Sequence, residues 1–187
     1  MMKRTFIAID IYPDKKLLQA VRIVRDHFLS DTIRWVRLDP AHITLAFLGD
    51  TDADQILLVK ALLKERLSGF GTIDIEVCGA GFFGKLNDPK VLWFGISVND
   101  KLAGLHNIVE GIVEEAGLVR DCRPFRPHIT LGRVRKHSGI TGVETLPENI
   151  RREPLMRTSV SEVVFYESIL KPEGPVYLPL EKTNIAG

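Results

Sequence analysis

Cysteine is scarce in this 187-residue chain: Cys78 and Cys122 are the only two, and neither has a partner at CxxC or CxxxC spacing. Neither a disulfide framework nor a zinc knuckle is suggested, which leaves two reduced, mostly buried thiols as the expectation. An excess of one charge is also missing, since 25 Lys plus Arg face 24 Asp plus Glu for a formal net charge of +1. Proteins that coat long nucleic acids carry a clear basic excess, so any nucleic-acid contact here should be local, such as one strand end. No apolar run approaches membrane-spanning length, and the N-terminal stretch from Phe6 to Ile11 is interrupted by Asp10. That stretch is too short for a signal peptide and suits a first strand. A cytoplasmic protein without membrane association is expected. What is present is ordinary: 45% hydrophobic and 26% charged residues, enough for one substantial core or two small fused lobes.

The chain repeats itself. His42-Ile43-Thr44-Leu45 recurs as His128-Ile129-Thr130-Leu131, an offset of 128 − 42 = 86. Pro40 and Pro127 precede the copies, and Gly49 and Gly132 follow them. Upstream, Phe6-Ile7-Ala8-Ile9-Asp10-Ile11 matches Trp93-Phe94-Gly95-Ile96-Ser97-Val98 at 93 − 6 = 87. Both runs have strand character. Each precedes a helical pattern: Pro13 and Asp14 open one with Leu17, Leu18, Val21 and Val24 in its stripe. Asn99 or Asp100 caps the other, with Leu102, Leu105, Ile108, Val109 and Ile112 in the stripe and Gly117 as its stop. Two offsets that agree within one residue over some forty positions define an internal repeat.

Further elements are expected after each motif: a helix over 54–67, then strands near 72–78, 160–166 and 176–180. The glycine-rich stretch Gly79 to Gly84, with Asn87-Asp88-Pro89 beyond, is expected to join the halves as a loop. The whole is an α+β protein of two pseudo-symmetric lobes, each a mainly antiparallel sheet with outer helices, enclosing a central cleft. Residues 1–187 then form a single bilobal domain, expected to act as a monomer.

In a strand, residues i and i+2 share a face. His42 and Thr44 therefore point one way and Ile43 and Leu45 the other, and the same holds for His128 and Thr130 against Ile129 and Leu131. If the lobes pair about a pseudo-twofold axis, the two His/Thr faces oppose each other across the cleft. A histidine on a strand is ordinarily structural, but packing has no reason to repeat a polar histidine at matched positions. Two imidazoles and two hydroxyls suit displacement at phosphorus. One group takes a proton from the nucleophile while another gives one to the leaving oxygen, and an unperturbed pKa of ~6.5 keeps both histidine states accessible. Threonine hydroxyls can donate to non-bridging oxygens without adding charge. A cyclic phosphate adds ring strain and a tethered leaving group. No third convergent ligand stands beside either motif, so neither metal nor other cofactor is expected. His27, His106 and His137 occupy non-corresponding positions and are expected to be surface or satisfied residues.

Residues 120–136 hold Arg120, Arg123, Arg126, Arg133, Arg135 and Lys136 against Asp121, a local charge of 6 − 1 = +5. Such a cluster would draw a polyanion to one side of the cleft. Arg133 and Arg126 are the favoured phosphate or backbone ligands. Strict alternation would turn Arg133 away from His128, whereas a twist or bulge at Gly132 could bring it back. Trp35, Phe47, Phe125 and Tyr166 are candidates for stacking on a terminal base, although core packing is the commoner role.

The segments Arg34-Trp35-Val36, Pro40-Ala41-His42-Ile43-Thr44-Leu45-Ala46-Phe47-Leu48-Gly49 and Arg123-Pro124-Phe125-Arg126-Pro127-His128-Ile129-Thr130-Leu131-Gly132-Arg133-Val134 resemble the 2H phosphoesterase superfamily. Within it, the chain is most similar to the RNA 2′,3′-cyclic phosphodiesterases first described as 2′-5′ RNA ligases. The resemblance runs from Arg4-Thr5-Phe6 to Gly174-Pro175-Val176-Tyr177. It implies a bilobal fold and hydrolysis of 2′,3′-cyclic phosphate at an RNA 3′ end, or on a nucleotide, to a 2′-phosphomonoester. It also implies that His42 donates a proton to the departing 3′ oxygen while His128 activates water. Ligation into a 2′-5′ linkage would be the same step reversed. Alternatives are a phosphodiesterase for small cyclic nucleotides and a non-catalytic RNA- or nucleotide-binding module of the same fold.

Overall fold

A computed structural model describes residues 1–28, 33–85, 88–135, 143–172 and 174–187. Its strands are β1 (Lys3–Ile11), β2 (Ile33–Trp35), β3 (Ala41–Thr51), β4 (Ile73–Lys85), β5 (Asp88–Ile96), β6 (His128–Val134), β7 (Pro154–Val160), β8 (Glu162–Lys171) and β9 (Gly174–Asn184). Its α-helices are α1 (Lys15–His27), α2 (Ala53–Leu67), α3 (Asp100–Glu115) and the short α4 (Glu148–Arg151).

The helices begin where local chemistry can satisfy their free N–H groups. Asp14 accepts from Leu17 N at the start of α1, and Asn99 accepts from Leu102 N at the start of α3. Asp52 and Gln55 form a reciprocal capping box at α2. Leu17, Val21 and Val24 are buried as their spacing requires, but Leu18 is half exposed and lies outside the stripe. In α3 the residues Leu102, Leu105, Val109 and Ile112 all face the core, and Gly117 follows with φ +69°. α4 falls in a segment with no helical periodicity to announce it.

The strands form one antiparallel sheet in the order β7-β4-β5-β6-β3-β1-β8-β9, with β2 alongside β6. The repeat is visible in that order. β6, β5, β4 and β7 run outward on one side of the centre, and β3, β1, β8 and β9 run outward on the other. The two lobes are therefore halves of one continuous sheet rather than separate sheets, and they meet at β3 and β6. Among the described residues the ladder between those strands has a single pair, Ile43 opposite Ile129. The helices reinforce the junction by crossing it: α3, from the second half, packs on β3, and α1, from the first, packs on β7. One hydrophobic core lies between the helices and this face of the sheet, with Ile43, Leu63, Phe94, Val109 and Phe165 wholly enclosed.

The glycine-rich stretch expected to be a linking loop is instead the second half of β4, paired with β5 in a hairpin; Asn87 lies outside the described residues. Its glycines serve packing and bulges rather than a turn. A Cβ on Gly81 would stand 2.3 Å from the Trp93 indole, so the absent side chain is what lets that ring lie on the strand. Gly79 and Gly84 take φ values of +66° and +113° beside two register shifts.

The β3–β6 junction yields a stability prediction. Ile43→Ala should cost about 3–4 kcal/mol in urea unfolding, against about 1 kcal/mol for Ile43→Val. A loss below 1 kcal/mol for the alanine variant would mean that the halves do not depend on this contact.

Candidate active site

The register Ile43–Ile129 positions the whole site. Continued by one residue each way, it sets Thr44 opposite His128 and His42 opposite Thr130. Directly opposed residues leave an antiparallel sheet on the same face. Ile43 and Ile129 point into the core, so the two histidines and two threonines emerge together on the other face. They lie side by side across a strand junction, rather than facing one another across a gap as the sequence suggested.

A bulge brings in Arg133. Trp93 pairs with Thr130 while Leu92 pairs with Gly132, which leaves Leu131 as the extra residue. Leu131 and Gly132 are consecutively buried, and the alternation resumes with Arg133 on the histidine face. Its positive charge is felt at both imidazoles. The expectation that an irregularity near Gly132 redirects this arginine is met.

Aromatic rings wall each imidazole. His42 lies 5.4 Å from Phe6 and 5.2 Å, edge-on, from Tyr177. His128 lies 4.8 Å, edge-on, from Phe83 and 6.5 Å from Trp93. Asp10, on β1, pairs directly with His42, and its carboxylate accepts the Tyr166 hydroxyl at 2.7–2.8 Å. Burial raises both the Asp10 and Tyr166 pKa values.

The two histidines differ electrically. Burial, the neighbouring His128 and then Arg133 push the His42 pKa down to about 4. Burial also lowers His128, and Arg133 adds to this, but a hydrogen bond to the Arg126 carbonyl opposes it. That bond, 2.8 Å from His128 Nδ1 to Arg126 O, defines the tautomer. A carbonyl only accepts, so Nδ1 carries the proton and Nε2 presents a lone pair when the ring is neutral. The Arg126 backbone orients His128, a role that residue spacing gave no means of finding. Its exposed side chain borders the cleft described next.

A cleft of about 350 Å³ opens beside His128, bordered by Thr44, Phe47, His106, Phe125 and Arg126. His106, expected to be a bystander, is one of its walls. It stacks on Phe125 with ring centroids 3.9 Å apart and a 7° interplanar angle, and its Nδ1 donates to the Leu45 carbonyl. Helical periodicity located His106 on α3 but held no information on which strand that face would meet. Of the stacking candidates, Phe47 and Phe125 reach the cleft. Trp35 packs against the core beneath Arg25, and Tyr166 is buried with Phe6 and Ala8. His27 bonds Thr145 away from the site, and His137 lies outside the described residues. Among the described residues no group of three His, Cys, Asp or Glu side chains is arranged to hold a metal ion.

A continuous antiparallel sheet carrying paired His-x-Thr motifs on adjacent central strands defines a family. The chain belongs to the 2′-5′ RNA ligase superfamily, whose model matches residues 13–170. It is 32% identical to the RNA 2′,3′-cyclic phosphodiesterase of Thermotoga maritima, over 98% of this chain and 96% of that one. It is 27% identical to the protein of the same name from Methanothermobacter thermautotrophicus, covering 97% and 98% of the two chains. The crystal structure of Escherichia coli LigT in apo form superposes with a TM-score of 0.77 at 27% identity, over 100% and 99% of the chains. The LigT complex with 3′-AMP gives 0.79 at 26% identity, over 100% of each.

The depressed His42 pKa predicts a pH dependence of stability. The folded value of about 4 lies below ~6.5 in the unfolded chain, so the unfolded state takes up the proton first. Stability should be greatest above about pH 6.5 and fall as pH drops toward 4, with His42 contributing no more than about 3 kcal/mol. His42→Gln should flatten that slope in urea titrations between pH 4 and 7. An unchanged slope would show that His42 is not the group responsible.

Proposed function

We propose that this chain hydrolyses the 2′,3′-cyclic phosphate at an RNA 3′ end, or on a nucleotide, to a 2′-phosphomonoester, by acid/base catalysis with two histidines and no metal. The observation that carries this reading is the shared face of His42 and His128 on paired strands, with the His128 tautomer held by Arg126 O. The relatives' names support the substrate class.

His128 Nε2 takes a proton from water as its oxygen bonds to phosphorus. The bond from phosphorus to O3′ breaks, and His42 gives that oxygen its proton. The products are a free 3′ hydroxyl and a phosphate left on the 2′ oxygen. Thr44 and Thr130 hydroxyls donate to the non-bridging oxygens, and Arg133 offsets the charge that gathers there. Arg126 acts chiefly through its carbonyl, while its side chain lies at the substrate's edge. With an RNA 5′ hydroxyl in place of water, the same ring opening forms a 2′-5′ linkage and frees the 3′ hydroxyl.

The acid needs a proton that the free site holds poorly, because burial, with His128 and Arg133 alongside, depresses His42. A bound phosphate reverses the sign of the local field and raises both histidines. The substrate thus brings the charge that makes its own general acid competent. Each half contributes one histidine, so residues 1–187 work as one bilobal unit and a monomer suffices. No helix among the described residues is long and apolar enough to cross a membrane. Free Cys78 and Cys122 suit a reducing compartment, and we assign the protein to the cytoplasm.

The direct experiment is product analysis on an RNA oligomer ending in 2′,3′-cyclic phosphate. The 2′-phosphate is expected with or without chelator, and His42→Ala and His128→Ala should each lower kcat/KM by about 10²–10⁴ with folding retained. Formation of a 3′-phosphate, or loss of turnover with chelator, would refute the mechanism. The alkaline limb of the pH profile should lie higher in kcat than in kcat/KM, by on the order of one pH unit. Coincident limbs would remove the role given to substrate charge.

A further inference from the structure

Arg34 of β2 stands directly opposite Arg133 of β6. Opposed side chains share a face, so Arg34 emerges on the same side as the histidines. Like charges at directly opposed positions destabilise a sheet. Among the described residues no carboxylate pairs with either guanidinium, and Arg34 Nη2 donates instead to the Pro172 carbonyl at the end of the β8–β9 hairpin, 3.1 Å away. Gly174 makes room for it, since a Cβ there would come within 2.9 Å of Nη2.

The two arginines do not serve the same position. Arg133 acts on both imidazoles. Arg34 is held at the tip of the β8–β9 hairpin by Pro172 O and Gly174, and β9 carries Tyr177, which packs on His42. Arg4, from β1, joins Arg133 in acting on the Tyr177 hydroxyl. Arg34, Arg133 and Arg4 thus gather on the Tyr177 side of the site, whereas the cleft opens beside His128. Under the function proposed above, on which this inference rests, His42 serves the 3′ oxygen, so the ribose and the strand attached to it leave on that side.

We propose that Arg34 is the core of a second phosphate site, which binds the internucleotide phosphate one step 5′ of the cyclic end. The substrate class is then an oligonucleotide end rather than a free mononucleotide. Guanidinium matches phosphate geometry with two donors, and such contacts fix strand register without reading base identity. Binding energy from this remote phosphate is available to raise kcat/KM at the reacting one.

The test compares a dinucleotide ending in 2′,3′-cyclic phosphate with the mononucleoside 2′,3′-cyclic phosphate. The wild-type protein should prefer the dinucleotide by about tenfold or more in kcat/KM, and a methylphosphonate linkage, which removes the internucleotide charge, should abolish the preference. Arg34→Gln should bring the ratio near one and make it insensitive to the methylphosphonate. It should also make the slope of log(kcat/KM) against log[salt] for the dinucleotide less negative by about 0.7. The methylphosphonate arm uses the unaltered protein and holds even if the variant folds poorly. Equal rates on mononucleotide and dinucleotide, or a dinucleotide preference that survives the neutral linkage, would overturn the second site while leaving hydrolysis intact. Absence of turnover on both compounds would instead refute the underlying function, and this inference with it.

Discussion

The site depends on the contact between β3 and β6. One ladder pair, Ile43 with Ile129, holds the two halves of the sheet in register at the centre. Because side chains alternate with a period of two, burying these isoleucines obliges both histidines and both threonines to emerge on the opposite face. A slip of one residue would turn the whole polar set into hydrocarbon. The hydrophobic effect at two aliphatic side chains thus determines which face carries the chemistry, and crossing helices from each half keep that choice in place.

On that face the symmetry is broken by small features. His128 has its Nδ1 tied to a backbone carbonyl, whereas His42 is more deeply depressed in pKa and enclosed by Phe6 and Tyr177. The cleft opens beside His128, while Arg34 lies at the β8–β9 hairpin whose Tyr177 packs on His42. The duplicated scaffold thus has two unlike ends, which suits the proposed reaction with its distinct nucleophile and leaving group. The bulge at Leu131 belongs to the same scheme, since one extra residue brings an arginine that strict alternation would turn toward the core onto the face of both imidazoles.

Under the proposed function, the burial of His42 among aromatic rings is costly for an acid at neutral pH, because desolvation penalises the charged form. The arrangement makes sense if the compensating charge arrives with the ligand. A surface of arginines and neutral imidazoles is electrostatically unsatisfied until an anion is present, and it becomes competent when one binds.

The repeat, the helices α1 to α3, the caps Asp14 and Asn99, and the shared face of each His/Thr pair were legible in the chain itself. They rest on local periodicity, capping chemistry and an exact tetrapeptide recurrence, all of which operate over a few residues. The strand from Gly79 to Gly84 was not legible, because its glycines fit the Trp93 ring and two bulges supplied by β5, a partner that a local pattern does not reveal. Nor were the side-by-side placement of the motifs, the tautomer of His128, or the walls that Phe83, His106 and Tyr177 provide. Each arises where segments distant in sequence meet, and only the packed sheet decides which segments those are.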